Sequence, residues 1–212
     1  MSMSASALIR WGALSAVVGG ALLVVSDLWG LLMEGLGGGD RPFSEVAQTA
    51  TYALTSGSSL LAAVLILFGL VGLHLRHSGE VGILGGLGFV LAFLGTALVV
   101  GLSWSLLFVA PSVALEAPEF LDAEQVAGPL NAGFILTSLV LAVGWALFGV
   151  ATLLARTYPR WVAIVLIVAA LMQSLPFPGT GVVFGVAVAL VGFFALTGGG
   201  RASDEQQPSR VR

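Results

Sequence analysis

The chain has 212 residues, 58% hydrophobic and only 9% charged, with a mean hydropathy of +1.04; soluble domains carry about a quarter charged residues, so this is a membrane composition. At roughly 20 apolar residues per crossing, the chain holds five or six spans and leaves no length for a water-soluble domain. A net charge of −3 without a basic cluster excludes a nucleic-acid partner, and the absence of cysteine excludes disulfides, thiolate metal sites and a thiol nucleophile.

The first apolar run covers residues 8–33, with Arg10 near one end and Asp27 near the other. It is long for the hydrophobic part of a secretory signal and lacks the charged start of one, so a retained first helix is expected. A Gly-rich loop with Asp40, Arg41 and Glu45 leads to a second span at about 51–75. The third is expected at 81–110, stopped by Pro111, and the acidic stretch 111–128 forms the longest connection. Phe120, Leu121 and Val126 give that stretch the apolar face of a short surface helix. Spans four, five and six are expected at 129–155, 161–175 and 181–197, with residues 198–212 as a disordered polar tail. The expected fold is thus an all-α membrane bundle of six transmembrane helices in one domain. The fifth run is about 22 Å long at helical rise, short for a crossing. The Pro-Gly segment after it reads first as a plain turn at the interface; the alternative is a dip below the surface, where its backbone must face protein or water.

Arginine placement sets the orientation, because cytoplasmic segments carry the excess of Lys and Arg. With both termini in the cytoplasm, Arg10, Arg76, Arg156, Arg160, Arg201, Arg210 and Arg212 lie inside and only Arg41 outside. The carboxylates Glu34, Asp40, Glu45, Glu116, Glu119, Asp122 and Glu124 fall on the outer side. All eight basic residues are Arg in a chain rich in Ala, Gly and Val. This is the usage of a GC-rich bacterial genome, and a bacterial cytoplasmic membrane is the expected location.

A weak internal repeat has two readings: three helical hairpins, or the chance likeness of low-complexity apolar helices. Gly12–Val25 matches Gly88–Gly101 in glycine spacing, and LFGLVGLHLR (Leu67–Arg76) aligns with LFGVATLLAR (Leu147–Arg156). Small residues form stripes at i, i+4 spacing: Gly12, Ala16 and Gly20; Gly82 and Gly86; Gly181, Gly185 and Ala189. Such stripes let helix backbones approach closely. They are expected to pack helices within the chain, or against a second membrane protein or another copy.

Polar side chains gather toward the outer ends of the spans, leaving the inner halves aliphatic. Asp27 lies 17 residues beyond Arg10, about 25 Å along a helix, which places it in the outer leaflet. Gln48, Thr51, Thr55, Ser56, Ser58, Ser59, Ser103, Ser105, Asn131, Thr137, Ser138, Gln173 and Ser174 share that level. Intramembrane polar groups tend to face the bundle interior and mark sites. The candidate ligand-binding set is Asp27, Thr55, Ser58, Ser103, Asn131 and Gln173.

Several chemistries are excluded. The two histidines, His74 and His77, fall at the inner end of span two, a membrane thickness away from Asp27 and most hydroxyls, so no Ser–His–Asp triad forms with Asp27. Gly37–Asp40 spells Gly-x-Gly-Asp, but no second aspartate lies deep in another helix to make a dyad. No HExxH or P-loop is present. No catalytic group, metal or cofactor is assigned. The leading expectation is an outward-facing polar vestibule that binds or passes a small solute, a cation or a lipid headgroup. An accessory or scaffold subunit with no site of its own is the alternative, and a membrane enzyme ranks third.

Overall fold

A computed structural model describes residues 5–35, 41–77, 82–123, 128–175 and 177–198. The tail from 199 onward, Glu80, Glu124, Val126, Pro176 and the Gly-x-Gly-Asp string lie outside them. The described residues form helices and connections, with no strand: α1 (Ala5–Met33), α2 (Phe43–Val46), α3 (Ala50–His77), α4 (Gly82–Glu116), α5 (Pro118–Leu121), α6 (Gly128–Ala155), α7 (Arg160–Met172) and α8 (Thr180–Thr197). Five helical stretches are long and apolar enough to cross a membrane: Ser6–Met33, Ala50–Arg76, Gly82–Glu116, Gly128–Ala155 and Thr180–Thr197. At 13 residues, α7 is about 20 Å long, two-thirds of a hydrocarbon core of roughly 30 Å.

The long helices and α7 close into a ring. α1 packs on α3, α3 on α4, α4 on α6, α6 on α7, α7 on α8, and α8 returns to α1. Glycine sets the spacing at three of these seams. A Cβ on Gly12 would stand 2.5 Å from Gly72 Cα, and one on Gly69 would stand 2.8 Å from Ala16, so α1 and α3 touch backbone to backbone. Gly95 meets Leu141 and Gly144 meets Ala92 between α4 and α6, while Gly20 meets Gly185 and Gly192 meets Ala13 between α1 and α8. Along each seam the residue numbers run in opposite senses, so α1 is antiparallel to both α3 and α8, and α4 to α6.

These contacts sort the small-residue stripes. Those of α1 and α8 are used within the chain. The Gly82–Gly86 pair is not a packing stripe, because nothing stands within 4 Å of a Cβ at either position. The glycines of α4 that meet a neighbour are Gly88 and Gly95. With α4 apolar on all sides, spacing alone does not tell which face turns inward. No small-residue stripe of α1 or α8 is left open for a partner.

Pro111 does not end the third long helix, contrary to the sequence expectation. α4 continues through it to Glu116. Proline tolerates helical φ but removes a donor and weakens the preceding turn. On that turn Ser112 Oγ donates to the Phe108 carbonyl at 3.3 Å, and the Tyr52 hydroxyl donates to the Leu106 carbonyl at 3.0 Å. The acidic connection is correspondingly shorter and carries the single turn of α5.

The two ends of the ring differ in charge. Arg76 donates from Nη1 to the carbonyl of Ala195 near the C-terminus of α8. Nearby, Tyr158 is buried, and burial pushes its phenol above the ordinary value while the Arg76 charge acts the other way. At the opposite end Asp122 accepts from the Ser44 amide at 2.9 Å and the Ser44 hydroxyl at 2.6 Å, stapling α2 to the turn after α5. The layer between, toward the arginine end, is tightly filled by Trp145, Leu70, Leu73, Leu166, Val188 and Val191.

Candidate functional site

The connection between α7 and α8 lies at the acidic end. α7 stops at Met172, and its last carbonyls are closed locally: the Gln173 amide donates to Ala169 and Ala170, the Ser174 amide to Leu171 and the Leu175 amide to Met172. Where a helix stops, local closure of this kind satisfies the carbonyls its last turn leaves open. Gly179 then takes φ +85, a left-handed conformation that suits glycine, and the chain enters α8. The first amides of α8 lie ahead of any i−4 carbonyl of that helix, and that of Val182 donates back to the Gly179 carbonyl at 3.1 Å. Asp27 of α1 supplies a further acceptor, its carboxylate standing against the backbone N–H groups of Gly181 and Val182. Since Arg76 serves the other terminus, α8 is held at both ends by side chains whose charges oppose its dipole.

Beside Asp27, α1 and α3 are joined by hydroxyls. Ser26 Oγ donates to the Thr55 carbonyl at 3.0 Å and lies 2.7 Å from Ser59 Oγ. Ser58 Oγ is 3.1 Å from Ser26 Oγ and 2.8 Å from the Thr55 carbonyl. The Thr55 hydroxyl bonds back to the Thr51 carbonyl on its own helix.

Inside the ring lies a cavity of about 210 Å³. Its polar lining is Ser59, Thr96, Ser103, Thr137, Ser138 and Gln173, and its walls come from α1, α3, α4, α6, α8 and the residue that follows α7. Among the described residues no charged side chain lines it. Ile66, Leu141 and Phe184 make up much of the apolar wall, and Phe184 meets Trp145 edge to face at 5.2 Å between ring centroids. Trp145, fully buried, donates its indole N–H to Thr96 Oγ1 at 3.0 Å, and that hydroxyl donates to the Ala92 carbonyl at 2.7 Å.

The cavity has a rim where α7 falls short. Gly149 of α6 packs on Ile167 of α7, and in antiparallel register the last residue of α7 falls beside Gly144. Beyond it, residues 128–136 of α6 are exposed at every position except half-buried Phe134. Thr137 and Ser138, which follow that stretch, are half-buried, as is Gln173 at the end of α7. Thr137 lies nine residues inside the start of α6, about 14 Å along its axis.

Of the six candidate residues, the structure brings Ser103 and Gln173 to this cavity. Asp27 caps α8 and Ser58 belongs to the α1–α3 clasp. Thr55 bonds within α3, and Asn131 is exposed near the start of α6. Ser59, Thr137 and Ser138 line the cavity and share the outer polar level read from the sequence. Ser26 and Thr96 escaped notice: each is a lone small hydroxyl in an apolar run, and only the partner helix reveals its use. Among the described residues no group of three or more His, Asp or Glu could hold a metal. Comparison with family models, with curated proteins and with solved structures finds no match to this chain.

Proposed function

We propose that the chain is a six-crossing protein of a bacterial cytoplasmic membrane, with both termini inside, whose cavity receives a small uncharged polar solute from the outer side. The observation that carries this reading is the convergence of six uncharged polar side chains from four parts of the ring on one cavity without a charge. Such a lining offers hydrogen bonds but nothing to balance an ion, and an ion stripped of water in an apolar bundle needs a partner. This disfavours the cation among the expected ligands. A volume of about 210 Å³ lies below the 300–1,000 Å³ of pockets for drug-sized ligands, which favours a molecule of a few heavy atoms.

On this reading the sixth crossing is made by α7 together with the connection from Gln173 to Gly179. The antiparallel seams support it, because α8 runs the same way as α3 and α6 must feed α7 from the arginine end. Broken helices of this kind frame sites in transporters. The packed layer of Trp145, Leu70 and Val188 below the cavity supports binding over open passage. The scaffold alternative loses its main support, since the stripes of α1 and α8 are spent inside the chain.

The test is thermal unfolding of the purified protein with small neutral solutes, glycerol among them, against a Ser103→Leu variant that fills the cavity. The reading expects saturable stabilisation of the wild type by at least one solute, absent from the variant. Identical responses of the two proteins to every solute would count against it.

A further inference from the structure

We infer that the arginine end of the α1–α8 seam is a binding groove for an anionic phospholipid. A second cavity of about 470 Å³ lies there, lined by Ala7, Arg10, Trp11, Leu14 and Leu196. It is larger than the cavity inside the ring and shares no residue with it. Its chemistry is divided along the helix axis. Arg10 and Trp11 lie near the start of α1, one guanidinium beside an indole that is 62% exposed. Leu14 lies one turn deeper on α1, and Leu196, in the last turn of α8, flanks the groove at about the level of Arg10 and Trp11.

This order matches a phospholipid from phosphate to chain. Guanidinium pairs with phosphate through two parallel hydrogen bonds, indole rings settle at the headgroup level, and Leu14 and Leu196 offer hydrocarbon to an acyl chain. Among the described residues no acidic side chain lines the groove. The single positive charge therefore has no group to receive the ammonium of a zwitterionic headgroup, and the charge balance selects a lipid with net negative charge. Free phosphate would satisfy Arg10 alone and leave the apolar wall wet. Arg76 at the same end differs in this respect: its guanidinium is turned inward and donates to the Ala195 carbonyl.

The experiment uses the full chain in bilayers of phosphatidylglycerol and phosphatidylcholine, with bromine carried on the acyl chains of one lipid at a time. Quenching of Trp11 is isolated as the difference between the wild type and Trp11→Phe. The proposal expects brominated phosphatidylglycerol to occupy the groove about fivefold in preference to phosphatidylcholine, the factor typical of one basic residue at an anionic surface. The preference should vanish in Arg10→Gln, persist in Arg10→Lys and survive added inorganic phosphate at constant ionic strength. Folding of each variant is checked by its melting transition, and Arg160→Gln, which leaves the groove intact, should keep the preference. Equal quenching by both lipids in the wild type would overturn the proposal, as would a preference unchanged in folded Arg10→Gln or one abolished by inorganic phosphate.

Discussion

Asp27 of α1 and Gly181 of α8 are in direct contact: the carboxylate stands against the Gly181 amide, and a Cβ on that glycine would stand 2.5 Å from Asp27 Oδ2. The aspartate thus serves as the cap that α8 cannot supply for itself, since Gly179 before it has no side chain. The glycine leaves room for the carboxylate to reach. Asp27→Ala should lower stability by about 1–3 kcal/mol, the range for leaving buried amides unsatisfied, with Asp27→Asn falling between it and the wild type. Because Asp27 does not line the cavity, solute-dependent stabilisation should survive in either variant. Denaturation with and without solute separates the two effects, and loss of the solute response at unchanged stability would assign Asp27 to the site instead.

The seams make a prediction about glycine that sequence spacing does not. Gly12→Ala and Gly95→Ala should each destabilise the fold by about 1–3 kcal/mol, because the added methyl meets the backbone of Gly72 or Leu141 at 2.5 Å and the helices must part. Gly86→Ala, with nothing within 4 Å, should be neutral or stabilising by up to about 1 kcal/mol through helix propensity. Unfolding of the three variants in detergent gives the comparison. Equal losses at all three positions would contradict the packing described.

At the acidic end, the staple between Ser44 and Asp122 is sensitive to acid. The hydrogen bonds from Ser44 hold the exposed carboxyl below its ordinary 3.8. A depressed folded value means that the charged form is the one stabilised, so the contribution is complete above that ordinary value and fades as pH falls through the lower folded one. Amide exchange of 43–47, measured relative to the rest of the chain, should accelerate in strong acid in the wild type. In Asp122→Asn it should be fast at every pH. A wild-type segment equally protected across that range would rule the staple out as its anchor.

Much of the helical framework is legible in the apolar runs, because few polar residues interrupt them and Gly, Pro and charge mark their ends. Pro111 misled because it sits where side-chain hydroxyls from Ser112 and Tyr52 attend the weakened turn, and no local rule announces Tyr52. The brevity of α7 was visible in the distance from Trp161 to Leu175. Its consequence was not, since the free stretch 128–136 follows from which helix neighbours α6. The site was legible by level and not by face. Ser103 and Gln173 turn inward while Asn131 turns out, and helices apolar all round carry no periodicity that would separate them.

The central claim is that a water-accessible cavity opens among these hydroxyls from the acidic end. The chain has no cysteine, so single thiols report on it without interference. The decisive measurement is labelling of Ser103→Cys and Ser138→Cys in sealed vesicles of known orientation by a small membrane-impermeant thiol reagent. The expected result is modification of both from the side bearing Asp122, with Thr152→Cys, at a position only 1% exposed, remaining unreactive. Failure of both cavity thiols to react while an exposed thiol at Ser174→Cys reacts fully, or reaction only from the side bearing Arg76, would contradict the account.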